Sequence, residues 1–131
     1  MKTLVYIDIE ATGLKSLGRP RISEITFVAN DTREILNTNH KLMEKLNNTK
    51  SPEHILELET LLPRVLNKLT LCVYPMATIM PEVSRLTGLD NYNLSDQSRF
   101  DKRTGYLLKA FLSRLPFPVC LVAHNGDLYL A

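Results

Sequence analysis

The sequence predicts an α/β layered domain on three observations. Three strand-like runs come first, an amphipathic helix follows them, and a short, wholly apolar run lies behind that helix. At 131 residues and 14.9 kDa the chain has room for one core, so one domain is expected over residues 1–131. With 44% hydrophobic and 23% charged residues it falls well outside the composition of disordered chains. A net charge of +2 permits a polyanionic partner without demanding one.

Thr3 to Ile9 is a β-branched and aromatic run broken by one acid, and Ile22 to Ala29 alternates as a second strand. Between them, Gly13 to Pro20 carries the turn residues of a hairpin connection, so the two strands are expected to be antiparallel neighbours. From about Asp31 to Val65 the chain is polar and Asn-rich without a sustained period. It reads as a surface excursion over 31–65 with one helical turn around Ile55 to Leu62. Lys68 to Tyr74, closed by Pro75, is a third strand. Pro81 to Leu86 starts a short helix that Gly88 ends. Asp101 to Leu115 places apolar residues at 107, 108, 111, 112 and 115, the stripe of an amphipathic helix stopped by Pro116 and Pro118. Val119 to Ala123 is the kind of run that is buried on both faces of a sheet, and an incipient helix follows it.

Cys72 and Cys120 sit in apolar runs and are expected to be buried free thiols in a reducing compartment. Neither these cysteines nor His40, His54 and His124 have the spacing of a zinc site. The N-terminus lacks a signal-peptide core and no run of about eighteen apolar residues occurs, so a secreted or membrane-spanning chain is not expected.

The chemistry concentrates at Asp8 and Glu10. Acids inside an apolar strand need a partner that offsets their desolvation. Their i, i+2 spacing aims both carboxylates at one face of a strand, a fitting start for a Mg²⁺ or Mn²⁺ site. The alternative is an edge strand with its polar face in water. Ala11, Thr12 and Gly13 directly after the acids would let backbone approach a nucleotide closely. A second polar cluster, His124-Asn125-Gly126-Asp127, stands at the C-terminal end of the last strand, where α/β sheets favour ligand sites.

Residues 6 to 14, Tyr-Ile-Asp-Ile-Glu-Ala-Thr-Gly-Leu, resemble the first motif of the DnaQ-like DEDD 3′-5′ exonucleases. The segments Leu71-Cys72-Val73-Tyr74-Pro75, Leu86-Thr87-Gly88-Leu89 and Cys120 to Asp127 resemble the three-prime repair branch of that family. The ordered set spans essentially the whole chain, and it argues against an RNA-trimming branch. The resemblance implies a ribonuclease-H-like mixed sheet with flanking helices, C-terminally incomplete, and a DNA-repair activity that removes nucleotides from DNA 3′ ends, single-stranded or frayed duplex. Two divalent ions, Mg²⁺ or Mn²⁺, would be held by Asp8 and Glu10 as catalytic and metal-ligating residues.

For substrate binding, the resemblance implies Glu10 with Ala11 and Thr12 near the terminal nucleotide, and Leu14 and Leu86 wedged against the last base. Simple packing is the alternative for Leu86. His124 and Asn125 would shape the strand-to-helix turn or touch substrate. Tyr129 would reach a phosphate oxygen or serve as a partly buried aromatic. The Lys68 to Tyr74 edge corresponds to the family's dimer-pairing strand, so a homodimer in nucleus or cytoplasm is implied.

The departures from the family matter as much. Leu130 stands where the family has its third acid, and the segment with the general-base histidine and fourth acid has no counterpart. Asp127 matches a separate family Asp and reads as a turn or helix-start residue. Loss of a general base costs about two to four orders of magnitude in rate. The expectation is therefore a weak or inactive exonuclease, from an incomplete gene model or splice product. The competing expectation is a catalytically dead module that binds a DNA end or dimerises.

Overall fold

The computed structural model describes residues 1–14, 18–48 and 62–124. Among them the order of elements is β1 (Thr3–Ala11), β2 (Ile22–Asp31), α1 (Thr32–Asn48), β3 (Asn67–Cys72), α2 (Pro81–Thr87), α3 (Lys102–Ser113) and β4 (Val119–Ala123). The strands form one sheet in the order β3-β2-β1-β4. β1 and β2 are antiparallel, as the hairpin connection predicts, and β3 is antiparallel to β2. β4 runs parallel to β1, which places the ends of both strands at the same edge of the domain.

Alternation along the strands divides the sheet into two faces. Val5, Ile25, Phe27 and Ala29 are buried together with Leu115, and Ile7, Ile9, Leu69 and Leu71 pack against them. Helix α3 covers this face through Leu108, Phe111 and Leu112, with the Phe27 and Phe111 rings tilted at 58° and 5.9 Å apart. Asp101 starts α3 with a capping box: its carboxylate accepts from the Arg103 and Thr104 amides, and its own amide donates to the Thr104 hydroxyl. The opposite face carries Asp8 and Glu10.

Several expectations are corrected. The polar stretch after β2 is not an irregular excursion: residues 32–48 form the 17-residue helix α1, which remains a surface element with only Thr38 buried. The Asp31 carboxylate accepts from the Arg33 amide at 2.8 Å and so caps its start. The expected turn at 55–62 lies almost wholly outside the described residues, as does the incipient helix after His124. In α3 the inward stripe is Thr104, Leu108, Phe111, Leu112 and Leu115, while Leu107 is turned to solvent.

β4 is not buried on both faces, because among the described residues it is an edge strand, and its Leu121 is half exposed. The third strand ends at Cys72. Val73 still donates to the Ser23 carbonyl, but Tyr74 leaves the sheet and pairs with Arg99. Cys72 and Cys120 are free, as expected, yet only partly buried, because each lies on a strand at an edge of the sheet. Among the described residues no helix is long and apolar enough to cross a membrane.

Candidate active site

The i, i+2 spacing holds: β1 is a regular strand through Asp8 and Glu10, so both carboxylates stand on the face opposite the α3-covered core. Asp8 is exposed and Glu10 half-buried. β1 pairs with β2 along both acids, whereas its ladder with β4 ends at Ile7, so among the described residues the β4 flank is unpaired at Asp8 and Glu10.

The register sets their neighbours. Asp8 pairs with Thr26 and Glu10 with Glu24, and a register irregularity follows Glu10, so that Ala11 pairs with Ile22. On β3, Thr70 continues the Asp8 row and Cys72 the Glu10 row. The Thr26 and Thr70 hydroxyls are 3.2 Å apart, and the Cys72 thiol donates to Glu24 Oε2 at 3.3 Å. Burial raises the Glu10 carboxyl above its ordinary pKa, and the negative charges of Asp8 and then Glu24 raise it further. Burial also pushes the Cys72 thiol up, aided by its bond to Glu24 and that carboxylate's charge.

Such a pair fits a hard divalent cation, whose charge relieves the repulsion that holds Glu10 up. Among the described residues no group of three or more His, Cys, Asp or Glu side chains is placed to hold a metal.

Of the other predicted site residues, Ala11, Thr12, Leu14 and His124 lie at this end of the sheet. Ile7 pairs with Ala123 in the parallel β1–β4 ladder, so His124 follows β4 where Asp8 follows Ile7 on β1. Thr12 is buried and structurally occupied: its amide donates to the Arg21 carbonyl at 2.9 Å, and its hydroxyl accepts from the Arg21 amide at 3.0 Å. Its carbonyl accepts from the Met80 amide at 2.9 Å, tying the end of β1 to the start of α2. Gly13 completes that tie, because a Cβ there would lie 2.5 Å from Met80 Sδ. Ala11 is half-buried.

Leu14 and Leu86 are 72% and 82% exposed, so packing within these residues does not explain Leu86. Asn125 and Tyr129 lie outside the described residues. Glu24 and Cys72 join the acid row without a signal in the sequence, since only the β1–β2–β3 register brings them there.

No protein-family model matches the chain. It is 37% identical over 131 residues to three-prime repair exonuclease 1 of Bos taurus, covering 98% of this chain and 38% of that protein. It is 39% identical over 127 residues to three prime repair exonuclease 2 of Homo sapiens, covering 95% of this chain and 48% of that protein. The chain thus spans less than half the length of the curated relatives it matches. Among solved structures, exonuclease I in complex with an inhibitor superposes with a TM-score of 0.59 at 12% identity, over 96% of this chain and 21% of that one. Escherichia coli exonuclease I in complex with a dT13 oligonucleotide gives 0.58 over the same shares. The open mixed sheet with flanking helices is accordingly the ribonuclease-H-like exonuclease fold. Across nearly its whole length, and on that fold, this chain is thus similar to less than half of the length of the three-prime repair exonucleases.

Proposed function

We propose that this chain carries part of a metal-dependent 3′-5′ DNA exonuclease site of the three-prime repair type. The observation that carries the reading is the placement of Asp8 and Glu10 on one face of β1, just past the Ile7–Ala123 pair that ends its ladder with β4. Divalent ions, Mg²⁺ or Mn²⁺, would polarise the scissile phosphate and supply an activated water.

The chain's own residues do the rest. Asp8 and Glu10 supply hard oxygen ligands, and Glu10 holds its proton more tightly than an ordinary carboxyl, so metal binding must displace that proton at low pH. Thr12 cannot offer its hydroxyl to substrate without giving up Arg21, so its contribution is to fix the backbone after the acids. Leu14 and Leu86 are exposed and would press against the terminal base, and exposed His124, one residue past the end of the β1–β4 ladder, would meet the DNA. Asn125 and Tyr129 complete the proposed substrate contacts. With two ligand side chains, metal affinity and turnover are expected to be low.

A homodimer is part of the proposal. β3 has β2 on one side and no strand on the other among the described residues, an edge open to pairing with a second copy. Two free thiols suit an intracellular setting in nucleus or cytoplasm.

The test is a 5′-labelled single-stranded oligonucleotide incubated with excess protein and Mg²⁺ or Mn²⁺. Stepwise shortening that EDTA and Asp8→Ala each abolish supports the assignment. Shortening that persists in Asp8→Ala or in EDTA overturns it. Metal-independent DNA binding with no turnover by any metal-loaded form would replace it with a DNA-end-binding module. Light scattering reports the dimer, and a proline at Leu69 should disrupt it.

A further inference from the structure

A cleft of about 130 Å³ opens where β2 begins and the chain leaves β3, walled by Arg21, Ile22, Tyr74, Met76, Arg99 and Phe100. We propose that this cleft binds the phosphodiester strand of a single-stranded DNA, holding the part that lies upstream of a 3′ end seated at Asp8 and Glu10. The proposal rests on the reading of those acids given above and extends it to residues with no part in it.

Four observations support the assignment. The two arginines are exposed, and neither guanidinium has an acidic partner among the described residues. Two unpaired guanidinium groups across one cleft match the bidentate demand of phosphate oxygens. Tyr74 and Phe100 supply aromatic faces beside them, and base stacking on such faces is sequence-tolerant.

The cleft is also built from fixed backbone. The Arg21 main chain is held on both sides by Thr12, so its side chain projects from an anchored position. Tyr74 donates to the Ser98 carbonyl at 3.0 Å and bridges to Arg99, which joins the opposite wall.

Finally, the cleft is continuous with the acid site. Ile22 precedes Glu24 by two residues on β2 and Tyr74 follows Cys72 by two beyond the end of β3, so the cleft opens next to the Glu24–Cys72 contact. The cleft therefore lies one to two strand spacings from β1, about 5–10 Å, at the same end of the sheet. A strand entering between the arginines would run toward Glu10. An acidic peptide meets the charge but makes no use of the aromatic faces.

The experiment measures fluorescence anisotropy of an oligothymidylate of about eight nucleotides, in EDTA, across a salt series. It compares wild type, Arg21→Ala/Arg99→Ala and Arg21→Lys/Arg99→Lys. Both side chains are exposed, so the fold should survive, and circular dichroism checks it. The double alanine variant should bind the octamer about tenfold or more weakly. Its slope of log K against log salt should shrink by about 1.4, from two phosphate contacts at about 0.7 each on a single strand. The lysine variant should keep most of that slope. A dinucleotide, with a single internal phosphodiester, cannot engage both arginines and should lose less than the octamer.

Octamer binding unchanged in the alanine variant overturns the cleft. So does an equal loss for dinucleotide and octamer, or arginine-dependent binding of polyglutamate in place of DNA. Mn²⁺ binding without DNA, followed by electron paramagnetic resonance, is the separate readout of Asp8 and Glu10. Its absence in wild type would remove the acid site as a metal site while leaving the arginine comparison interpretable.

Discussion

Glu10 on β1 faces Glu24 on β2 directly in register, and Glu24 in turn accepts the Cys72 thiol from β3. Two carboxylates opposite each other on one face repel unless a proton or a cation lies near them. The row joins Glu10 to the edge strand β3, so a change at any member should be felt by the other two.

Glu24→Gln should lower the Glu10 pKa, because it removes one of the two charges that raise it, while burial and Asp8 keep it above the ordinary value. It should also bring the Cys72 thiol down toward its ordinary range, since a carboxylate acceptor and its charge are lost. Carboxyl NMR titration of Glu10 and the pH dependence of Cys72 alkylation read the two effects. Alkylation at neutral pH should speed up.

Stability should depend on pH and metal with a definite sign. Glu10 has a raised folded-state pKa, so its contribution is fully present below the unfolded-state value and is lost as pH rises through the folded-state one. In EDTA at neutral pH, Glu10→Gln should therefore stabilise slightly, by about 0.5 kcal/mol. Metal at ten times its Kd should stabilise wild type by about 1.4 kcal/mol. Glu10→Gln and Asp8→Ala should lose most of that gain. Thermal melts with and without Mn²⁺ test all four statements.

Gly13→Ala should destabilise by about 1 kcal/mol, because the new methyl meets Met80 Sδ and the side chain must move. Met80→Ala in the same chain should restore part of the loss. If Gly13→Ala melts like wild type, the close approach between the end of β1 and the start of α2 is not maintained in solution.

Leu14→Ala and Leu86→Ala should change stability by less than about 0.5 kcal/mol, since both side chains are exposed. Val5→Ala, at a position with 0% exposure, should cost about 2 kcal/mol. Urea melts separate the two classes. On the proposed function, the leucine variants should also bind a DNA 3′ end more weakly while keeping Mn²⁺ affinity.

Alternation made the strands legible, and the i, i+2 spacing of Asp8 and Glu10 made their common face legible. The register was not, because the connection between β1 and β2 is too long to fix which residues oppose each other, and Glu24 stayed hidden for that reason. Helix α1 escaped notice because its inner stripe of Ile35, Thr38 and Leu42 includes a polar residue, while Leu36, Met43 and Leu46 point outward and blur the period. Its start signal, Asp31 followed by Glu34, was present. In α3 the reading favoured Leu107 over Thr104, since a threonine that closes a capping box looks polar and is nonetheless buried. The arginine cleft draws on three separated stretches of chain, and no spacing rule connects them.

The lateral order β3-β2-β1-β4 also bears on how the polypeptide is made. β1 meets its sequence neighbour β2 early, but Thr3 donates its hydroxyl to the Pro116 carbonyl, 113 positions away, and β4 follows just beyond. During synthesis the acid-bearing strand therefore waits, paired on one flank only, until β4 has cleared the ribosome. Contacts so distant in sequence make for slow closure. Through that interval the bare flank of β1 is where a chaperone would hold the nascent chain, or where a neighbouring nascent chain would stick.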